Sequence, residues 1–204
     1  MLDRWSLKLV APPLQKIAFT LNERGVSANQ VTITGFVIGL SVIPLLICQF
    51  YLLAALVIIF NRLCDGVDGA LARLAGPSDD GAFLDIVLDF IFYAAVVFGF
   101  ALANPEHNAL AAALLLFSFM GTGSSFLAFA ILAERRSIEN IVYPSKGFYY
   151  LGGLAEGTET IILLLACCVF YESFAYIAMF FSAICWLTTV TRIVGGYFSL
   201  KPNS

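Results

Sequence analysis

Charge is what this sequence has least of. Charged residues make up 12% of its 204 residues and apolar ones 60%, against about 25% and about 45–50% in soluble domains, which argues against a water-soluble globule. A membrane-spanning helix takes about 20 residues, so the length leaves room for about six spans and no second domain. One membrane domain over 1–204 is the expectation. A single histidine, His107, leaves no basis for histidine-based metal or triad chemistry. The five cysteines (Cys48, Cys64, Cys167, Cys168, Cys185) are odd in number and form no CxxC pair, so neither a disulfide framework nor a zinc site is indicated. They read as small hydrophobes. A net charge of −3 with no Lys/Arg-rich block excludes a nucleic-acid partner. Asp3, Arg4, Lys8, Lys16, Glu23 and Arg24 interrupt any signal-peptide core, so the N-terminal segment is expected to stay on the mature protein.

What is present is helical. Leu14, Ile17, Ala18 and Leu21 recur at helical spacing, and residues 1–30 are expected to form an interfacial amphipathic helix, with Pro12 and Pro13 at its start. Apolar segments near 31–50, 51–74, 82–103, 108–133, 147–170 and 173–197 then supply six spans. With the N-terminus inside, all 11 Lys and Arg residues lie in the N-terminal segment, at inner span ends, in inner loops or in the tail. The outer connections carry only Glu106 and Glu172. That asymmetry places both termini in the cytoplasm. The expected fold class is an all-α integral membrane protein of six transmembrane helices behind an interfacial helix.

The unusual stretch is NRLCDGVDGALARLAGPSDDGAFLDIVLD, which puts Asp65, Asp68, Asp85 and Asp89 inside otherwise spanning segments. Each carboxylate at mid-membrane costs about 2.5–3.5 kcal/mol on insertion scales, so four require a compensating partner or a wet cavity. At 1.5 Å per residue, Asp65 and Asp68 lie about 21 and 26 Å below Tyr51, and Asp89 and Asp85 about 21 and 27 Å below Ala103. The two pairs therefore face each other in the inner leaflet. Asn61, Asp65, Asp68, Gly69 and Ala72 share an arc of about 100° on one helix, and Gly81, Asp85 and Asp89 form a stripe on the next. Hard oxygen ligands of this kind suit Mg²⁺ or Mn²⁺. Two such ions about 4 Å apart would neutralise four carboxylates and clamp a phosphate undergoing in-line displacement. Gly66, Gly69 and Ala72 are expected to leave space beside them for a flat or bulky group. The rival class is an ion-coupled transporter using intramembrane carboxylates, which the absence of an internal repeat weakens.

Asp65, Asp68, Gly69, Ala72, Arg73, Gly81, Asp85 and Asp89 spell a pattern that resembles the signature of the CDP-alcohol phosphatidyltransferase family. Between Arg73 and Gly81 lie seven residues where the common form has eight, a difference that falls in a loop. The resemblance extends to an interfacial N-terminal helix, six spans and a SANQVT-like start to the first, and the whole chain is most similar to inner-membrane members from Gram-negative bacteria. It implies that a hydroxyl of a small alcohol attacks CDP-diacylglycerol in the membrane and releases CMP, as a step of phospholipid biosynthesis. It also implies that Asp65, Asp68 and Asp85 hold two Mg²⁺ or Mn²⁺ ions, with Asp89 completing the metal site and acting as general base. Asp65, Gly69, Ala72, Arg73 and Gly81 would bind the CDP moiety, and a homodimer is allowed.

The acceptor alcohol is left open. The depth count puts Glu159 and Glu156 about 18 and 22 Å below Tyr171, in the aspartate layer, so that either with Arg192 they form the expected acceptor pocket or one of them makes a structural ion pair with Arg192. Those glutamates suit a polyol or an ammonium, with Tyr149 and Tyr150 at hand for cation–π contact. Arg135, Arg136, Lys146 and Arg192 suit instead the phosphate of a phosphorylated polyol.

Overall fold

The computed structural model describes residues 3–136 and 153–201. Eight α-helices follow one another: α1 (Asp3–Glu23), α2 (Ala28–Gly39), α3 (Val42–Ile47), α4 (Tyr51–Ala75), α5 (Asp79–Ala103), α6 (Pro105–Arg135), α7 (Gly157–Val169) and α8 (Phe174–Leu200). There is no strand among the described residues. The fold is all-helical, as composition predicts.

The first connections are written in local chemistry. Gly25 closes α1 with φ +74, and the N–H groups of Val26 and Gly25 donate to the carbonyls of Leu21 and Asn22 at 3.1 and 3.0 Å, the paired bonds that end a helix on a left-handed residue. Ser27 then starts α2. Its hydroxyl accepts from the Gln30 N–H at 3.3 Å while its own N–H donates to the Gln30 side chain at 3.0 Å, a reciprocal capping box. The apolar run expected as one helix is two. Pro44 has no N–H for the Leu40 carbonyl and its ring crowds that carbonyl, and the chain breaks between Gly39 and Val42.

Among the described residues, four stretches are long and apolar enough to cross a membrane: Ala28–Ile47, Asp79–Ala103, Pro105–Arg135 and Tyr171–Leu200. Two of the six expected spans fall short of that measure, for different reasons. Helix α4 has 25 residues but carries Arg62, Asp65, Asp68 and Arg73 within them. Helix α7 has 13 residues, about 20 Å of helix against a hydrocarbon core of about 30 Å. Residues 153–156 before it are not helical, and Lys146, Tyr149 and Tyr150 lie outside the described residues.

The N-terminal helix also differs from expectation. It begins at Asp3, so Pro12 and Pro13 lie inside it. The residues upstream contain no glycine and several good helix formers, which carries the helical backbone back past both prolines. Leu14 and Ala18 are buried against Val67, Ala70 and Leu71 of α4, while Ile17 and Phe19 are exposed. A Cβ at Gly66 would sit 2.5 Å from Leu14 Cδ1. Gly66 therefore admits α1 to α4 and does not keep space for a ligand, as its place beside the aspartates had suggested.

The largest fully buried side chains, among them Phe92, Phe100, Phe174, Leu46, Ile58, Leu115 and Leu164, fill the middle of the bundle. Between helices in lipid, close packing holds the fold more than transfer from water does. Gly99 accepts Leu46 and Gly123 accepts Phe90, where added Cβ atoms would come within 2.7 and 2.9 Å. Tyr51 stacks on Tyr171 at 4.1 Å and Phe100 on Phe174 at 4.5 Å, tying α4 to the turn before α8 and α5 to α8 itself at the end opposite the aspartates. Large apolar side chains such as Leu52, Leu110, Tyr176 and Phe180 point outward, the surface that lipid would cover.

Candidate active site

Helices α4 and α5 run antiparallel through a short turn, Gly76–Ser78. Gly76 takes φ +96, and Ser78 caps α5 by accepting from the Gly81 N–H at 3.3 Å. This turn brings the two acidic stripes face to face. One carboxylate oxygen from each of Asp65, Asp68 and Asp85 lies within 4.8 Å of the others. Asp68 is buried and accepts a hydrogen bond from the Thr32 hydroxyl of α2 at 2.6 Å. An all-oxygen donor set this compact fits Mg²⁺ or Mn²⁺.

Asp89 stands beside this trio and not within it. Both of its oxygens are taken by Arg62, with Nη2 donating to Oδ1 at 2.6 Å and Nη1 to Oδ2 at 3.1 Å. The Tyr93 hydroxyl adds a bond to Oδ2 at 3.3 Å. The positive-inside count assigns Arg62 to an inner span end by its sign. It lies within α4, also 3.5 Å from Asp65, and is the one cation of the aspartate layer that the sequence reading passed over. The depth ruler applied to the aspartates carries the signal, since it sets Arg62 about 16 Å below Tyr51.

Two cavities open on either side of Asp85. The larger, about 780 Å³, lies between the α1–α2 turn, the end of α4 and the start of α5, and Gly69, Ala72, Arg73, Gly81 and Asp68 line it. Asp65, grouped with these as a CDP ligand, lines instead the small pocket that holds Arg62. Asn29 of α2 reaches across to donate to Asp80 at 2.7 Å and so fixes the cavity's rim. A Cβ at Gly69 would touch only Arg73 Nη1, at 3.5 Å, so the glycine faces open space. Replacing Gly69 with leucine is expected to leave the fold intact and abolish binding of CDP-diacylglycerol, measured by displacement of a labelled nucleotide lipid from folded protein. Wild-type affinity in that variant would place the nucleotide elsewhere.

The second cavity, about 340 Å³, lies between α5, α6, the start of α7 and α8, and Asp85, Asp89, Glu156, Thr160 and Arg192 line it. Arg192 is buried, donates to the Thr122 carbonyl at 3.2 Å and lies over the Phe126 ring at 5.6 Å. Glu156 is the residue before α7, accepting from the Gly153 N–H at 2.9 Å, and not a residue inside a span. Glu159, grouped with it by depth, is not among this cavity's lining residues. Glu159 lies in the first turn of α7, whereas Glu156 stands one residue before the helix. The two cavities share Asp85, Ile86 and Phe126, so Asp85 is the member of the trio that stands where a molecule in one meets a molecule in the other.

Comparison with known proteins agrees with this layout. The family model for CDP-alcohol phosphatidyltransferase matches residues 26–194. The chain is 53% identical over 201 residues to the inner membrane protein YnjF of Escherichia coli (strain K12), with 98% of each chain covered. It is 30% identical over 186 residues to the archaetidylinositol phosphate synthase of Pyrococcus horikoshii, with 90% of each covered. Two crystal structures of the Mycobacterium tuberculosis phosphatidylinositol phosphate synthase have the same fold. The one with CDP-DAG bound gives a TM-score of 0.70 at 20% identity, covering 94% of this chain and 98% of that one. The one in complex with manganese and citrate gives 0.74 at 21%, covering 94% and 93%. No part of this supports a transporter, and the chain belongs to the CDP-alcohol phosphatidyltransferase family, membrane enzymes of phospholipid synthesis.

Proposed function

We propose that this enzyme transfers the phosphatidyl group of CDP-diacylglycerol to a small alcohol with release of CMP, using Mg²⁺ or Mn²⁺ held by Asp65, Asp68 and Asp85. The observation that carries the reading is the trio of carboxylates with one member, Asp85, on the wall shared by two cavities. Two divalent ions there would supply charge neutralisation for the diphosphate and for the leaving CMP. Gly69, Ala72, Arg73 and Gly81 hold the nucleotide end in the larger cavity. Asp89 takes the proton of the acceptor hydroxyl from the smaller one, where it can sit within reach of the attacking oxygen. The manganese and the CDP-DAG named with the Mycobacterium structures accord with this assignment.

The acceptor that fits the smaller cavity is a small polyol carrying a phosphate. Arg192 supports this, because a buried guanidinium on the wall suits a phosphate and repels an ammonium, and Glu156 and Thr160 beside it suit hydroxyls. The names of the Pyrococcus and Mycobacterium relatives point the same way. Arg192→Gln is expected to raise the apparent KM for the acceptor at least about tenfold while moving that for CDP-diacylglycerol little, as loss of one charge-assisted contact implies. Mass spectrometry of the lipid product from a pool of alcohols, on wild type and variant, checks this. Preference for serine, ethanolamine or choline would overturn the anionic acceptor.

In the membrane, the same reading makes 1–204 one domain in a bacterial inner membrane, with both termini cytoplasmic. Six crossings follow if α4 and α7 both cross, α4 with its charged half turned to the cavities. Helix α1, with Leu14 and Ala18 against α4, would lie in the inner interface.

A further inference from the structure

Arg62 precedes the first motif aspartate by three residues and forms no part of the motif. Its fork meets the Asp89 carboxylate bidentately, at 2.6 and 3.1 Å. Behind it, Nε and Nη2 donate to Asn61 Oδ1 at 3.0 and 2.5 Å, and the Asn61 amide donates in turn to the Gly35 carbonyl of α2 at 3.1 Å. Nη1 also donates to the Tyr93 hydroxyl at 2.9 Å. The guanidinium lies over the rings of Phe92 and Tyr93 at 5.4 and 5.1 Å. Anchors on α2, α4 and α5 leave this side chain, 12% exposed, one place to sit. Charge compensation alone needs no such fork, since a lysine in the layer would serve.

Asp89 lines both the small pocket that holds Arg62 and the cavity that holds Arg192. It is gripped from one side and presented to the other. We propose that Arg62 is the positioning residue of the catalytic base, fixing the Asp89 carboxylate toward the acceptor cavity with the Tyr93 hydroxyl as its second support. Oδ2 accepts from both Arg62 and Tyr93, whereas Oδ1 accepts from Arg62 Nη2 and keeps a lone pair. Oδ1 is then the atom that takes the proton. As the acceptor oxygen bonds to phosphorus, the phosphorus–oxygen bond to CMP breaks, the electron pair leaves on CMP, and the hydroxyl proton passes to Oδ1. The inference rests on the proposed role of Asp89.

The test compares Arg62→Lys, Arg62→Gln, Asp89→Asn and both double variants, by CMP release and by Mn²⁺ titration of the same purified proteins. A displaced base costs about 100-fold in kcat, which is expected for Arg62→Gln, with the KM for CDP-diacylglycerol held within about threefold. Arg62→Lys keeps the charge and loses the fork, so it should fold and still lose kcat. In the Asp89→Asn background neither substitution should lower kcat further, because the residue it positions is gone. Mn²⁺ affinity should not weaken in either Arg62 variant. Wild-type kcat in Arg62→Lys, additive losses in the double variants, or weakened Mn²⁺ binding would each overturn the proposal. Wild-type protein that releases no CMP would sink the proposed transfer and this role with it, whereas active wild type with additive variants would remove Arg62 alone.

Discussion

Replacing Asp68 with asparagine is expected to remove Mn²⁺ binding and to lower CMP release by at least about 1,000-fold, since several kcal/mol of charge stabilisation at 1.4 kcal/mol per decade are lost with the ion. The substitution preserves shape and leaves an oxygen to accept from Thr32, whose hydroxyl lies 2.6 Å away. Helix packing therefore stays and the charge goes. Asp68 is the buried member of the trio. Electron paramagnetic resonance of Mn²⁺ added to protein in detergent measures free and bound ion directly. Retained Mn²⁺ affinity would move the metal site off these carboxylates.

Asp89→Asn should behave differently. Proton transfer by a positioned base is worth about 10²- to 10⁴-fold, so turnover is expected to fall by that amount while Mn²⁺ and CDP-diacylglycerol binding remain close to wild type. The structural reason is that Asp89 spends both oxygens on Arg62 and stands outside the trio whose oxygens converge within 4.8 Å. Completion of the metal site by Asp89, implied by the resemblance, is the weaker half of its assignment on this geometry. If Mn²⁺ affinity falls in Asp89→Asn as far as in Asp68→Asn, Asp89 is a metal ligand and the base must be sought elsewhere.

The aspartates were legible because a carboxylate inside an apolar run is expensive and visible in any sequence. Depth and helical angle put Asp65, Asp68, Asp85 and Asp89 in one layer on two helices joined by one short turn, and the first three converge there. Arg62 escaped for the opposite reason. Its sign agreed with the positive-inside count, and its partner Asp89 is 27 residues away on another helix, beyond what periodicity on one helix pairs. Gly66 misled in the same way, because the side chain that fills its space, Leu14, comes from α1. The start of α7 was legible and passed over: Gly152 and Gly153 are a breaker pair ahead of the helix, and with it Glu156 falls just before the first turn while Glu159 falls within it. Pro44 was legible in principle, as its missing N–H predicts the break after Gly39.

The measurement closest to the central claim is CMP release by purified protein supplied with CDP-diacylglycerol, Mn²⁺ and a mixed pool of small alcohols and their phosphates. Stoichiometric CMP and one new phospholipid, both abolished by a chelator and restored by Mg²⁺ or Mn²⁺, are the predicted result. Absence of CMP with every acceptor, from protein that binds Mn²⁺ and is folded, would contradict it.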